Sequence, residues 1–188
     1  MGKSEILDFE SLVSSQFENC SRETLIALLT LYARLYMVLD GHWYLSVKER
    51  FGNEQAIDAD LEVWEKQTRK EVEGLVKLMD FRNRDVLSLM ELSAIMPSTV
   101  GSKGYIEVKN RNDCTLTITH CPIVGTLEKE GKGREKTLCT VVCRHITAVT
   151  ALSFNPDIEV KPIKMPPRRN QDEIYCQWEY KLIGAQKQ

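Results

Sequence analysis

The chain has 188 residues, 43% of them hydrophobic and 28% charged, and a formal net charge of −2. That length and composition suit one compact domain with a core of its own and exclude a largely disordered chain. Charge is unevenly split, with 11 basic against 17 acidic residues in 1–100 and 14 against 10 in 101–188. Neither half carries the clustered basic footprint of a nucleic-acid-binding protein.

From Ser21 onward, apolar residues recur at Leu25, Leu28, Leu29, Tyr32, Leu35, Tyr36, Leu39, Trp43 and Val47. This spacing predicts one long helix with a buried stripe, capped by Ser21 and stopped at Gly52. A second helical pattern begins after Asn53 and runs through Ile57, Leu61, Trp64, Thr68, Val72 and Leu75, with Gly74 as a place where it would bend. A third covers about Arg84 to Ile95 and ends at Pro97. The small, polar stretch Pro97 to Gly104 then marks the best internal boundary.

Beyond it the period changes from helical to alternating. Tyr105 to Lys109 and Cys114 to His120 read as two strands joined by the loop Asn110 to Asp113. A flexible glycine-containing stretch follows. Residues Glu135 to Phe154 are too long for a strand and carry a helical stripe at Leu138, Val142, His145, Val149 and Leu152. Ile158 to Ile163 and Ile174 to Leu182 are the last two strands. The expected fold is α+β: a helical N-terminal half, about 20–96, packed on a four-stranded antiparallel sheet of β-β-α-β-β order, about 104–183, in a single domain spanning 1–188.

The cysteines carry the strongest chemical signal. Five of six, Cys114, Cys121, Cys139, Cys143 and Cys176, fall in the second half, with His120 and His145. On a helix Cys139 and Cys143 emerge on one face, and a site drawn from Cys121, Cys139, Cys143 and Cys176, with His120 beside it, joins the hairpin, the helix and the last strand. Soft thiolate ligands suit zinc or an iron-sulfur cluster. The other reading is packing, because free cysteine is a commonly buried small hydrophobe; Cys114 and Cys20 fit it best. His42, beside Gly41 and Trp43, is the candidate general base. His145 reads as core. Asp58, Asp60, Glu62 and Glu65 around Trp64 read first as a solvated acidic face.

No apolar run approaches the roughly 20 residues of a membrane helix, and Met1 to Glu10 lacks the pattern of a secretory signal. Both point to the cytoplasm, where thiols stay reduced.

Several segments together resemble an uncharacterised prokaryotic cytosolic-protein family. They are the LDGHWY core and closing RFG of Thr24 to Gly52, the AIDADLEVWE of Ala56 to Glu65, the THCP of Thr119 to Pro122, the LC at Leu138-Cys139, and NPDIEVKPIKMPP followed by YCQWEY. That family is more distantly similar to the L-2-amino-thiazoline-4-carboxylate hydrolases and to vinyl-4-reductase-like small-molecule-binding domains. The resemblance implies a sheet flanked by helices, pairing as a homodimer, and a ligand pocket between the helical half and the sheet. It places Cys121, Cys139 and Cys176 on family-like positions.

The function expected from these readings is a cytosolic small-molecule-binding or sensing domain with a thiolate-bound metal. The alternatives are a hydrolase of a small heterocycle or amide, with His42 as base, and a structural dimerisation module.

Overall fold

The computed structural model describes residues 8–184. Helix α1 (Phe9–Glu18) is capped by Asp8, whose carboxylate accepts from the Ser11 amide at 2.8 Å, and none of its residues is buried. Helix α2 (Arg22–Phe51) begins at Ser21, whose Oγ accepts from the Thr24 amide at 3.1 Å. Gly52 ends it with φ +98°, a conformation open to glycine and costly for other residues. Helix α3 (Asn53–Leu78) follows at once and runs unbroken through Gly74. Helix α4 (Val86–Ser93) is capped by Asp85, and a short 3₁₀ turn at Pro97–Thr99 leads into the sheet.

The sheet has four antiparallel strands, β1 (Lys103–Asn110), β2 (Asp113–His120), β3 (Ile158–Lys164) and β4 (Cys176–Leu182), in spatial order β1-β2-β4-β3. Cross-strand pairs Cys114↔Tyr180, Leu116↔Trp178 and Ile118↔Cys176 lie on one face, and Thr115↔Glu179 and Thr117↔Gln177 on the other. Between β2 and β3 the chain forms helix α5 (Pro122–Glu130) and one continuous helix, α6 (Arg134–Phe154), whose residues Leu138–Cys143 are wound as a π-helix. The observed class and element order are those expected from the sequence. Two helices lie outside the expectation: α1, and α5, which fills the stretch read as flexible.

The apolar sheet face is covered by α4, which packs on β2 and β4, and by α6, which packs on β3. Helix α3 lies on α6, and α2 lies on α3 and the 3₁₀ turn, one layer further out. The main core joins Val72, Val86, Leu89, Met90 and Leu92 to Cys114, Phe154, Trp178 and Tyr180.

The stripe expected to bury α2 faces outward. Tyr32, Leu35, Leu39 and Trp43 are 54%, 51%, 68% and 60% exposed. Helix α2 docks on α3 through another side, where Ala33 and Tyr44 are buried and Asp40 reaches the Trp64 indole. A polar hydrogen bond, not the apolar stripe, sets its rotation about its own axis. Helices α2 and α6 each contain an 18-residue window of mean hydropathy 1.4, long and apolar enough to cross a membrane by composition alone; the unbroken-run reading of the sequence missed this because polar residues interrupt both.

Candidate functional site

Where β2 ends and β4 begins, four thiols from three elements lie near one another. Cys121 sits at the N-cap of α5, followed by Pro122 at the first helical position, where a proline loses no hydrogen bond. Burial holds the Cys121 thiol above its ordinary range, with the nearby amides of Val124 and Ile123 pulling the other way. Cys139 and Cys143 lie one turn apart in the π-helical part of α6. Cys139 is 4% exposed and packs with Val124 and Tyr175, with Cys121 and Cys143 against them. Cys176 opens β4 on the apolar face, and its Sγ accepts from the Trp178 indole at 3.3 Å.

These thiols sense one another. The pairing of Cys139 with Cys143 holds the Cys139 thiol far above its ordinary range and pulls Cys143 below it. Cys121 and Cys176 stand close enough to Cys139 to raise it further. Burial pushes Cys176 up to about 11, with the Cys121 and Cys143 thiols adding to it. The cluster is therefore a set of protonated thiols, with Cys143 the one held closest to ionisation. Among the described residues, no three His, Cys, Asp or Glu side chains already stand at the separations of a metal's ligands.

A buried acid pair adjoins the thiols. Asp40 of α2 accepts from Trp64 Nε1 at 2.9 Å, and its carboxyl hydrogen-bonds with that of Asp60 on α3, which is 6% exposed. Burial first, then the Asp40 charge, raises Asp60 to about 7, and Asp60 is near enough to Cys143 to act on it electrostatically. Two carboxyls so close share a proton at neutral pH. Tyr36, edge-on to Trp64 at 5.7 Å, donates to Glu71 at 2.7 Å and extends the same polar seam.

A cleft of about 390 Å³ lies between the C-terminal half of α2, the start of α3 and the start of α6. Tyr44, Lys48, Asn53, Ile57, Lys132 and Arg134 are among its walls. That volume lies within the range of small-molecule sites. Tyr44 is one turn beyond Asp40, Ile57 one turn before Asp60, and Leu138, also lining the cleft, precedes Cys139. Lys48 and Lys132 suit an anionic group, while Arg134 is engaged by Glu130 at 2.8 Å and lies over the Tyr44 ring.

Over the thiols lies a roof from the segment between β3 and β4. Arg168 forks onto Glu128 of α5 with bonds of 2.9 and 2.5 Å and stacks on the Tyr175 ring at 3.9 Å. Arg168 and Glu128 side chains are only 12% and 24% exposed, so this is a partly desolvated bidentate pair.

Residues 18–182 match the model of a family described as a family of unknown function, DUF6125. The chain belongs to that family. No curated protein and no solved structure matches it.

The residues named from the sequence separate in space. Cys121, Cys139 and Cys143 fall in one cluster, and Cys176, packed against the main core, stands near enough to act on them electrostatically. His120 is exposed and meets the cluster only through the edge of the Tyr175 ring, with centroids 6.0 Å apart. His42 is exposed on α2, and Asp40, two residues earlier, is the side chain that reaches α3. His145, expected in the core, is half-buried and bonds Glu65 at 3.0 Å across the α3 and α6 contact. Cys20 bonds its Sγ to the Gln16 carbonyl at 3.1 Å, and Cys114 is fully buried in the main core.

The Asp40 and Asp60 pairing escaped the sequence reading because it joins two helices. One signal was present: Asp60 lies four residues before Trp64 on the side of α3 that is otherwise apolar at Ala56, Trp64 and Val72.

Proposed function

We propose that this chain is a small-molecule-binding or sensing domain whose responsive centre is the thiol cluster, and that Cys121, Cys139, Cys143 and Cys176 take up a thiophilic metal, zinc or iron in a sulfur cluster. One observation carries the reading: four of six cysteines, separated by up to 55 residues in sequence between Cys121 and Cys176, meet at one seam beside a cleft. Packing alone asks only that cysteines be buried, not that they be buried together. The donor set fits a soft metal. Each thiol would have to lose its proton to bind, and Cys121, Cys139, Cys143 and Cys176 would be the residues to hold the metal, with Cys143 the one held lowest.

The small-molecule part of the reading is supported by the cleft and its rim of Lys48, Lys132 and Arg134. It agrees with the resemblance to thiazoline-carboxylate hydrolases and vinyl-4-reductase-like domains stated above. The acid pair, one turn from Tyr44 and Ile57 of the cleft wall, would let a ligand there act on the thiols through Asp60.

The test is metal content of protein purified without an affinity tag under reducing conditions, followed by zinc titration against a chromophoric chelator. The expected result is one site per chain, lost in the Cys121→Ala, Cys139→Ala, Cys176→Ala triple variant and retained in Cys20→Ser. A wild-type chain that neither carries metal nor competes with the chelator ends the metal reading. A panel of small carboxylates and thiazolines, read by thermal shift, then tests the cleft separately.

A further inference from the structure

Helix α2 has two faces, and the fold uses one. The inner face binds α3 through Ala33, Asp40 and Tyr44. The outer face carries Tyr32, Leu35, Val38, Leu39, Trp43 and Leu45, between 44% and 68% exposed, with nothing from the described residues laid over it. Single exposed apolar residues need no explanation, but a contiguous row of this length does. We propose that this outer face is the dimer interface of the protein, closed by α2 of a second copy.

Three observations choose that occupant. The first is pattern: Leu25, Leu28, Tyr32, Leu35 and Leu39 follow one another at alternating steps of three and four, the seam of a helix pairing with another helix. The second is charge: none of the seam residues is charged, so a two-fold arrangement that sets the face against itself meets no like-charge repulsion, and each protomer supplies the surface its partner needs. The third is area. A helix of 30 residues is about 45 Å long, and its exposed apolar row runs along a length over which a paired helix can bury a large share of the roughly 800 Å² per partner of a stable interface.

A lipid surface is the competing occupant for an apolar helix. An interfacial helix needs a cationic polar face turned to headgroups, whereas the polar side of α2 is bonded to α3 through Asp40 and Tyr36. Dimerisation would also clamp, from outside, the helix whose inner face supplies Asp40 and the Tyr44 and Lys48 walls of the cleft. The interface does not depend on the thiols binding a metal.

Sedimentation of the full chain at about 10 µM, a concentration at which interfaces of this size are ordinarily formed, should give twice the 21.6 kDa chain mass. The double variant Leu35→Glu, Leu39→Glu should sediment as a monomer with unchanged far-ultraviolet helicity. A readout on the wild type guards against a variant that fails to fold. Trp43 is 60% exposed in the protomer while Trp64 and Trp178 are each 5% exposed, so dilution through the dissociation range should shift tryptophan emission to the red, and Trp43→Phe should abolish that shift. A wild-type monomer at every concentration, a dimer that survives the double variant, or flotation with phosphatidylcholine and phosphatidylglycerol vesicles that the double variant loses would each overturn the proposal.

Discussion

Cys114 and Cys139 are both buried, at 0% and 4% exposure, but they lie in unlike surroundings. Cys114 faces Tyr180 across the sheet, in a core of Leu89, Met90, Leu92 and Trp178, and serves as a small hydrophobe. Cys139 lies in a smaller satellite core with Val124 and Tyr175, where two other thiols, Cys121 and Cys143, pack beside Ile118 and Met165. Burial alone therefore does not tell these two cysteines apart; their neighbours do. The large core holds the fold, and the small one has little hydrocarbon to spend on stability.

Truncation should expose that difference most strongly. Leu89→Ala in the main core should cost about 3 kcal/mol, within the usual range for a fully buried leucine, whereas Val124→Ala in the satellite core should cost about 1 kcal/mol, because fewer methylene groups and fewer apolar neighbours are lost. Urea denaturation of the two variants measures it. Equal losses would mean that the satellite core is as structural as the main one, and the contrast between the two cysteines would fail.

The next effect in size belongs to the acid pair. Asp60 has its folded pKa raised to about 7 from 3.8, so the folded state holds the proton more tightly than the unfolded chain. Stability from this group is fully present below about pH 4 and is lost as pH climbs through about 7. After relaxation of the site, the loss should be on the order of 2 kcal/mol. Asp60→Asn keeps a donor toward Asp40 and removes the charge, so it should be more stable than wild type at pH 8 and nearly equal at pH 4. An unchanged difference between pH 4 and pH 8 would show that the pair does not titrate with folding.

Cys114→Ser follows, at about 1–2 kcal/mol, since it buries a hydroxyl among apolar groups. It should leave metal uptake and thiol titration of the other five cysteines unchanged, whereas Cys176→Ser should alter metal uptake. If both variants changed uptake alike, the two environments would be one.

These contrasts also mark how far the sequence could be read. The alternation of Ile174 to Leu182 against Tyr175 to Lys181 and the helical spacing of Ile57 to Leu75 report local geometry, and the strands and helices follow them closely. The meeting of Cys121, Cys139, Cys143 and Cys176 was legible as a candidate set, since each falls on an identifiable element. Its geometry was not, because the separations of sulfurs on three elements depend on tertiary packing. The rotation of α2 was read with the wrong face inward: periodicity finds an apolar stripe but not what covers it, and the Asp40 to Trp64 bond that turns the helix joins residues 24 apart. Helix α5 was missed although Pro122 after Cys121 and Gly131 at φ +65° are ordinary start and stop signals, because the short run between them has weak periodicity.

The smallest expected effect concerns the roof over the thiols. Arg168 is held by two bonds to Glu128, by the Gln171 carbonyl at 2.9 Å and by the face of Tyr175. Glu128→Gln leaves the shape and one acceptor oxygen but removes the charge, so Arg168 keeps its carbonyl bond and its stacking. The stability cost should be only about 1 kcal/mol, near the upper end for an ion pair with some solvent contact. Access should change more than stability. Tyr175 packs on Cys139, so loosening Arg168 lets that ring lift, and alkylation of the cluster thiols should quicken severalfold while Cys114, under the main core, stays at its wild-type rate. Mass spectrometry of partly alkylated protein, read residue by residue, separates the two. If Cys114 quickens in step with Cys139, the variant is opening the whole fold, and the roof is not a local gate on the satellite core.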